Sequence, residues 1–265
     1  MKYLQSYYTD IGVKRKSNQD SLALLKADTD FGEVLLLLVC DGMGGHQFGE
    51  LASKIIVKAF EKWFKQKLPY ILYKEFKYQA LKSSWTALIE ECNAELVAYG
   101  EKNRAEIGST LTCMLFAGSN YYIAHVGDSR AYAIGEIQAL QLTHDHSLIA
   151  EKLRKGMISE EDAANDKRKN ILTECVGITK DVKIEFTAGT IQENVCYMLC
   201  TDGFWHFLTE EDLTHYLSGS RFTDNKMIRM HLNYLVEQVK ERGEKDNISV
   251  VSAVPKETQE DGQQI

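Results

Sequence analysis

Proline is nearly absent from this chain: 2 occur in 265 residues, where average usage gives roughly 13. That excludes proline-rich linkers and collagen-like segments. A cysteine framework is lacking too. The six cysteines, Cys40, Cys92, Cys113, Cys175, Cys196 and Cys200, form no C-x-x-C pair and lie mostly inside apolar runs. They read as reduced, buried thiols of a cytosolic protein, not as disulfides or a zinc site. Basic charge is not in excess: 31 Lys+Arg stand against 38 Asp+Glu, for a net charge of −7. A nucleic-acid-binding surface is therefore not expected. The longest apolar run, 34–40, is far short of the ~20 residues that cross a bilayer. The first residues carry no apolar core of the signal-peptide kind. The expectation is a soluble, cytoplasmic monomer with no membrane and no nucleic-acid partner.

What is present is an ordinary globular composition, 44% hydrophobic and 26% charged. Two segments have helical period. Leu51, Ile55, Ile56, Ala59, Phe60 and Trp63 form one stripe, and Leu81, Trp85, Leu88, Cys92, Leu96 and Tyr99 form another that Gly100 is expected to stop. Short runs rich in β-formers lie at 33–40, 110–117, 121–126, 130–134, 182–186, 196–200 and 248–254. Gly118-Ser119-Asn120 and Gly135-Glu136 read as hairpin turns. Early helices, later strands and hairpin connections favour antiparallel sheets covered by helices over a parallel doubly wound sheet. Between 144 and 175 the pattern weakens, with a possible capping box of Ser159 and Asp162, and an inserted lid-like element is expected. The polar segment 255–265 reads as a disordered tail after a domain spanning 1–254.

One local pattern recurs. Apolar runs end at Asp41-Gly42, at Gly127-Asp128-Ser129 and at Asp202-Gly203; Asp246-Asn247 and Asn18-Gln19-Asp20 stand just before further runs. Taken singly, each is an ordinary turn signal, since Asp-Gly caps turns cheaply; Asp261-Gly262 in the tail is one such. Taken together, strong strands deliver carboxylates with no basic residue directly beside Asp41 or Asp202. Their convergence at one sheet end would demand a cation, and oxygen ligands alone select a hard one, Mg²⁺ or Mn²⁺.

The chain resembles the metal-dependent Ser/Thr protein phosphatases of the PP2C or PPM type, the bacterial members above all. The matching stretches, in family order, are Arg15-Lys16-Ser17-Asn18-Gln19-Asp20, Asp41-Gly42-Met43-Gly44-Gly45-His46, Gly108-Ser109-Thr110-Leu111, Val126-Gly127-Asp128-Ser129-Arg130-Ala131-Tyr132, Leu142-Thr143-His144-Asp145-His146-Ser147, Arg168-Lys169-Asn170, Cys200-Thr201-Asp202-Gly203 and Asp246-Asn247-Ile248-Ser249. The resemblance implies an α+β fold: a four-layer αββα sandwich of two mainly antiparallel sheets flanked by helices, with 144–175 as a flap. It implies two Mn²⁺ or Mg²⁺ ions bridged by Asp41 and held further by Asp202, Asp246 and the Gly42 carbonyl. Asp20 would hold metal-bound waters, Asp128 would bind a third, weaker ion, and Arg15 would grip the substrate phosphate. The implied reaction is hydrolysis of phosphoserine and phosphothreonine by direct attack of a metal-bridging hydroxide, without a phosphoenzyme. The implied partners are phosphorylated proteins and a cognate Ser/Thr kinase.

Three positions depart from the family. Gln19 replaces a glutamate that supports the second metal in many relatives. Met43 stands where eukaryotic relatives place a histidine proposed as the general acid, so the leaving group's proton would come from a metal-bound water or another residue; His46 is the nearest candidate, or else only orders the loop. His206 replaces an acidic residue near the third metal. Other chemistries fit less well. None of the cysteines has an arginine six positions later, as a cysteine-dependent phosphatase needs. Asp28-Thr29-Asp30 lacks the Thr or Val of an aspartyl-phosphate motif, and Gln47 breaks a dinucleotide-type glycine loop after Gly42. His144-Asp145-His146 reads as a flap anchor more than a metal pair. The reading from a different class is a catalytically weak or dead phosphatase-fold regulator that binds a kinase or phosphoprotein.

Overall fold

The computed structural model describes residues 1–257 apart from 31, 46–47, 74, 167 and 169–170. In chain order the elements are β1 (Lys2–Asp10), β2 (Asp20–Thr29), β3 (Gly32–Met43), α1 (Phe48–Gln66), α2 (Leu68–Leu72), α3 (Tyr78–Asn103), β4 (Gly108–Ser109), β5 (Leu111–Ala117), β6 (Asn120–Val126), β7 (Arg130–Ile134), β8 (Ala139–Gln141), α4 (Leu148–Arg154), α5 (Glu160–Asn165), β9 (Glu185–Thr190), β10 (Cys196–Cys200), α6 (Asp202–Trp205), α7 (Glu210–Leu217), α8 (Asn225–Glu241) and β11 (Ile248–Lys256).

The strands form two sheets. One has the order β1-β11-β10-β7-β8; the other runs β2-β3-β5-β6-β9, with β4 pairing the end of β3. Every strand pairing among the described residues is antiparallel. β3 shows why the sheets stack. Its seven residues from Val34 to Cys40 are fully buried, which a half-solvated strand does not allow. Alternate side chains serve opposite layers. Leu35, Leu37 and Val39 pack between the sheets with Tyr197, Leu199, Val251 and Ala253. Val34, Leu36, Leu38 and Cys40 face outward onto Ile56 and Phe60 of α1 and Trp85 and Ile89 of α3. Across the sandwich, Met198, Cys200 and Val250 pack beneath Leu232, Leu235 and Val239 of α8. The result is the expected αββα sandwich. Truncating Leu36 or Leu37 to alanine would cost about 2–5 kcal/mol.

Local readings need three corrections. Gly100 does not end α3. It lies inside the helix, where a Cβ would meet the Ala105 carbonyl oxygen at 2.8 Å. The helix stops at Arg104, which takes a left-handed backbone (φ 53°) and closes the last turn onto the Glu101 and Gly100 carbonyls. The run at 182–186 is displaced, because β9 begins only at Glu185. Pro255 and Lys256, placed in the tail by sequence, are the last residues of β11 and pair with Tyr3 and Lys2; from 258 onward the tail lies outside the described residues. The Ser159–Asp162 capping box is present at the start of α5.

A candidate metal centre where strand ends meet

Asp20 opens β2 and Asp41 lies near the end of β3, and the antiparallel register sets them directly opposite one another. Asp202 follows β10, Asp246 precedes β11 and Asp128 precedes β7; antiparallel pairing of β10 with β11 and β7 brings those three to one end of the other sheet. A hydrogen bond joins the two ends: Thr201 Oγ1 donates to Asp20 Oδ2 at 2.9 Å. Thr201 also accepts from the Ser249 amide at 3.0 Å, so it is fixed on β11 while it reaches across. Asp41 is placed by its own amide, which donates to Thr110 Oγ1 at 2.8 Å.

The carboxylates feel one another. Asp41 is pushed well above the usual carboxylate range, first by burial and then by repulsion from Asp20, Asp202, Asp128 and Asp246. Burial, with the same kind of repulsion, raises Asp20 to about 7 and Asp128 to about 8. Asp202 is raised by burial, with Asp246 and Glu244 adding to it and His206 opposing. Two oxygens, Asp20 Oδ1 and Asp202 Oδ1, are buried with no hydrogen-bond partner among the described residues. Buried, unpartnered, mutually repelling carboxylate oxygens are what a hard cation satisfies.

Among the described residues, no three Asp, Glu, His or Cys side chains are gathered closely enough to cage an ion alone. Mg²⁺-type ions need no such cage, since they keep several waters and take one or two carboxylates. The donor set here is oxygen only, so the residues fit a hydrated divalent ion. Gly42 adds a backbone oxygen. A Cβ on Gly42 would lie 2.0 Å from the Gly49 carbonyl oxygen, and a Cβ on Gly49 would lie 2.5 Å from the Gly42 carbonyl oxygen. Two glycines thus let α1 approach closely while leaving that carbonyl free of side-chain cover.

The remaining expected residues fall as follows. Arg15 Nη2 donates to Asp246 Oδ2 at 2.5 Å, with the guanidinium half exposed at the rim. The Gln19 side chain donates to the Gly44 carbonyl at 3.1 Å and braces the loop after Met43. His206 lies between Asp202 (3.8 Å) and Glu244 (3.5 Å). Burial opposes its charge, but these two carboxylates outweigh burial and hold its pKa above the ordinary value. His46, Lys169 and Asn170 lie outside the described residues; Arg168 pairs with Asp166.

The segment expected as a flap is anchored by its first residues. Glu185 on β9 sits against His144 at 3.1 Å and His146 at 3.5 Å. Asp145 takes a two-pronged contact from Arg130, at 2.9 and 2.7 Å. Arg130 in turn lies 3.2 Å from the centroid of Trp205, whose indole N–H donates to the Asp128 carbonyl at 3.1 Å. The buried ring of His125 donates through Nε2 to the His144 carbonyl at 3.0 Å, which leaves Nδ1 to accept from Thr112. The contacts of Thr201, Thr110, Glu185 and Asn247 are not legible in the sequence, because each works through partners far away along the chain.

These features agree with the chain's likeness to known proteins. The family model described as Protein phosphatase 2C matches residues 13–245. The serine/threonine phosphatase Stp of Listeria innocua is 32% identical over 247 residues, covering 92% of this chain and 93% of that protein. The protein phosphatase PhpP of Streptococcus pneumoniae is 28% identical, covering 83% of this chain and 82% of its own length. Among solved structures, the serine/threonine phosphatase of S. agalactiae superposes with a TM-score of 0.83 at 27% identity, covering 96% of this chain and 100% of that one. Stp1 of Staphylococcus aureus gives the same TM-score and identity, covering 96% and 95%. The chain belongs to the protein phosphatase 2C family, whose members depend on metal ions, and is a protein serine/threonine phosphatase of the bacterial type.

Proposed function

We propose that the converging carboxylates hold two Mn²⁺ or Mg²⁺ ions, that Asp41 bridges them, and that Asp202, Asp246 and the Gly42 carbonyl complete their protein ligands. Asp20 orders bound water through its free oxygen, while Thr201 holds the other. Asp128 serves a third, weaker ion, with His206 supplying positive charge beside it. The observation that carries this reading is the burial of Asp20 Oδ1 and Asp202 Oδ1 without a donor, inside a ring of repelling aspartates.

When bound, the ions supply a water of lowered pKa as nucleophile and positive charge opposite the phosphoryl oxygens. The chain's own residues do the rest. Arg15 leaves Asp246 to fork onto two phosphate oxygens and orients phosphorus for in-line displacement. Met43 carries no proton to give, so we assign protonation of the departing Ser or Thr oxygen to His46. Residues 1–254 form the catalytic unit, and the 144–175 flap bounds the peptide side of the site. The substrates are phosphorylated proteins, those of a partner Ser/Thr kinase among them.

The test is turnover of a phosphothreonine peptide and of p-nitrophenyl phosphate with Mn²⁺ added. Activity that rises with Mn²⁺ and disappears with EDTA and in Asp202→Asn supports the assignment. Phosphopeptide binding without turnover at any metal concentration overturns it.

A further inference from the structure

Asn247 is 2% exposed, and among the described residues its side chain bonds to no near neighbour in the chain. Its Nδ2 donates to the Ile11 carbonyl at 2.9 Å and to the Ser17 carbonyl at 3.0 Å. Its Oδ1 accepts from the Gln19 amide at 2.8 Å. A carboxamide has two N–H donors and one oxygen. Here both donors and the oxygen are committed to the one loop joining β1 to β2. An asparagine beside a strand usually closes its own turn two residues on. These partners lie 228 to 236 positions away, so turn closure does not explain them.

The two carbonyls bracket the segment that carries Arg15. One amide therefore cinches the loop into a ring, with Val13, Lys14, Arg15 and Lys16 exposed on it. The ring lies hard against the metal-centre rim. Gly12 has φ +76°, and a Cβ there would meet the Asp246 carbonyl oxygen at 2.0 Å. Asp10 holds the loop's entry, accepting from the Gly12 amide at 2.7 Å and from Lys240 at 2.6 Å. Arg15 itself reaches the centre through its contact with Asp246. A long arginine on an untied loop loses rotamer and backbone freedom each time it engages phosphate; a pre-tied loop has already lost it.

We propose that Asn247 is a positioning residue, which sets the Arg15 guanidinium at the phosphate site by closing the β1–β2 loop. The inference rests on the reading of Arg15 as the phosphate-gripping group. Asn247 touches no reacting atom; its effect passes through Arg15.

The experiment is a double-mutant cycle with a structural arm. Asn247→Ala, and the isosteric Asn247→Asp, which turns both donors into an oxygen facing two carbonyls, are made with Arg15 and with Arg15→Ala. With Arg15 present, kcat/KM for a phosphothreonine peptide falls about tenfold, mainly through KM. In the Arg15→Ala background the same changes cost less than about twofold. In metal-free protein, limited trypsin digestion after Lys14, Arg15 and Lys16 accelerates in both Asn247 variants while the rest of the chain resists. Equal losses in both backgrounds overturn the inference, as does unchanged loop cleavage. Cleavage spread along the whole chain also overturns it, because Asn247 then supports the fold at large. If Arg15→Ala alone leaves kcat/KM intact, the reading of Arg15 has failed and this inference with it. A damaging Arg15→Ala with additive Asn247 losses refutes the role of Asn247 alone.

Discussion

Thr201 and Asp20 are held 2.9 Å apart across the two sheets, hydroxyl to carboxylate, although 181 positions separate them in the chain. The same hydroxyl accepts from the Ser249 amide. Thr201→Val keeps the shape and removes both bonds. The Ser249 amide and Asp20 are then left short of a partner, at a cost of about 1–3 kcal/mol. Denaturant melts of metal-free protein check the loss. An unchanged midpoint would show that the bridge contributes nothing.

The aspartate ring trades stability for ion binding. Asp202→Asn removes one charge from a buried, repelling group. In EDTA the variant should melt higher than the parent, by on the order of 1 kcal/mol or ~2–4 °C. With Mn²⁺ the order should reverse, since the parent alone gains from tight ion binding. Thermal melts with and without Mn²⁺ read both arms. A variant less stable in EDTA would mean that the aspartates are held by attractions other than those to an ion.

Burial of these aspartates, with their mutual repulsion added, sets a pH dependence. Asp20 and Asp128 titrate at about 7 and about 8, against an ordinary 3.8, chiefly through burial. Carboxylates raised in the folded state bind more protons there than when unfolded. Their stabilising contribution is complete below 3.8 and is lost as pH rises through about 7 and about 8. His206, also raised, acts in the same direction. The melting temperature in EDTA should therefore fall between about pH 5 and about pH 8, the span over which the folded carboxylates keep protons that the unfolded ones have lost. A melting temperature that is flat or rises over that range contradicts the electrostatics described.

Glu185 ties His144 and His146, the first residues of the proposed flap, to β9. It is held down to about 2 despite burial, because His146 and His144 pair with it. Glu185→Ala should loosen the flap base by about 1 kcal/mol, or roughly fivefold in KM for a phosphopeptide. Hydrolysis of p-nitrophenyl phosphate, which does not reach the flap, should stay within about twofold. Equal losses on both substrates would place Glu185 in the centre's own machinery.

Much of the fold was legible because burial is written as periodicity. β3 reads as a strand from its uninterrupted apolar run, and α1 and α3 read as helices from their stripes. α8 is less legible: Ile228, Leu232, Leu235, Val236 and Val239 repeat at helical spacing, but a charged outer face dilutes the signal. β1 alternates only weakly, since Tyr7 is exposed and much of the strand is half-buried. Gly100 misled because a glycine serves close packing as well as helix ends. At the centre, the aspartates were visible as strand-end residues. The roles of Thr201 and Asn247 are not written locally, because hydrogen bonds spanning 181 to 236 positions leave no local pattern.

Isothermal titration of Mn²⁺ into EDTA-stripped protein, parent against Asp41→Asn, decides whether the carboxylates form an ion site. The parent should take up about two ions or more per chain. Asp41→Asn should lose at least one of them, with affinity for the rest down by about tenfold or more. Asp41→Asn binding as many ions as the parent, equally tightly, would contradict the bridging role on which the proposed mechanism rests.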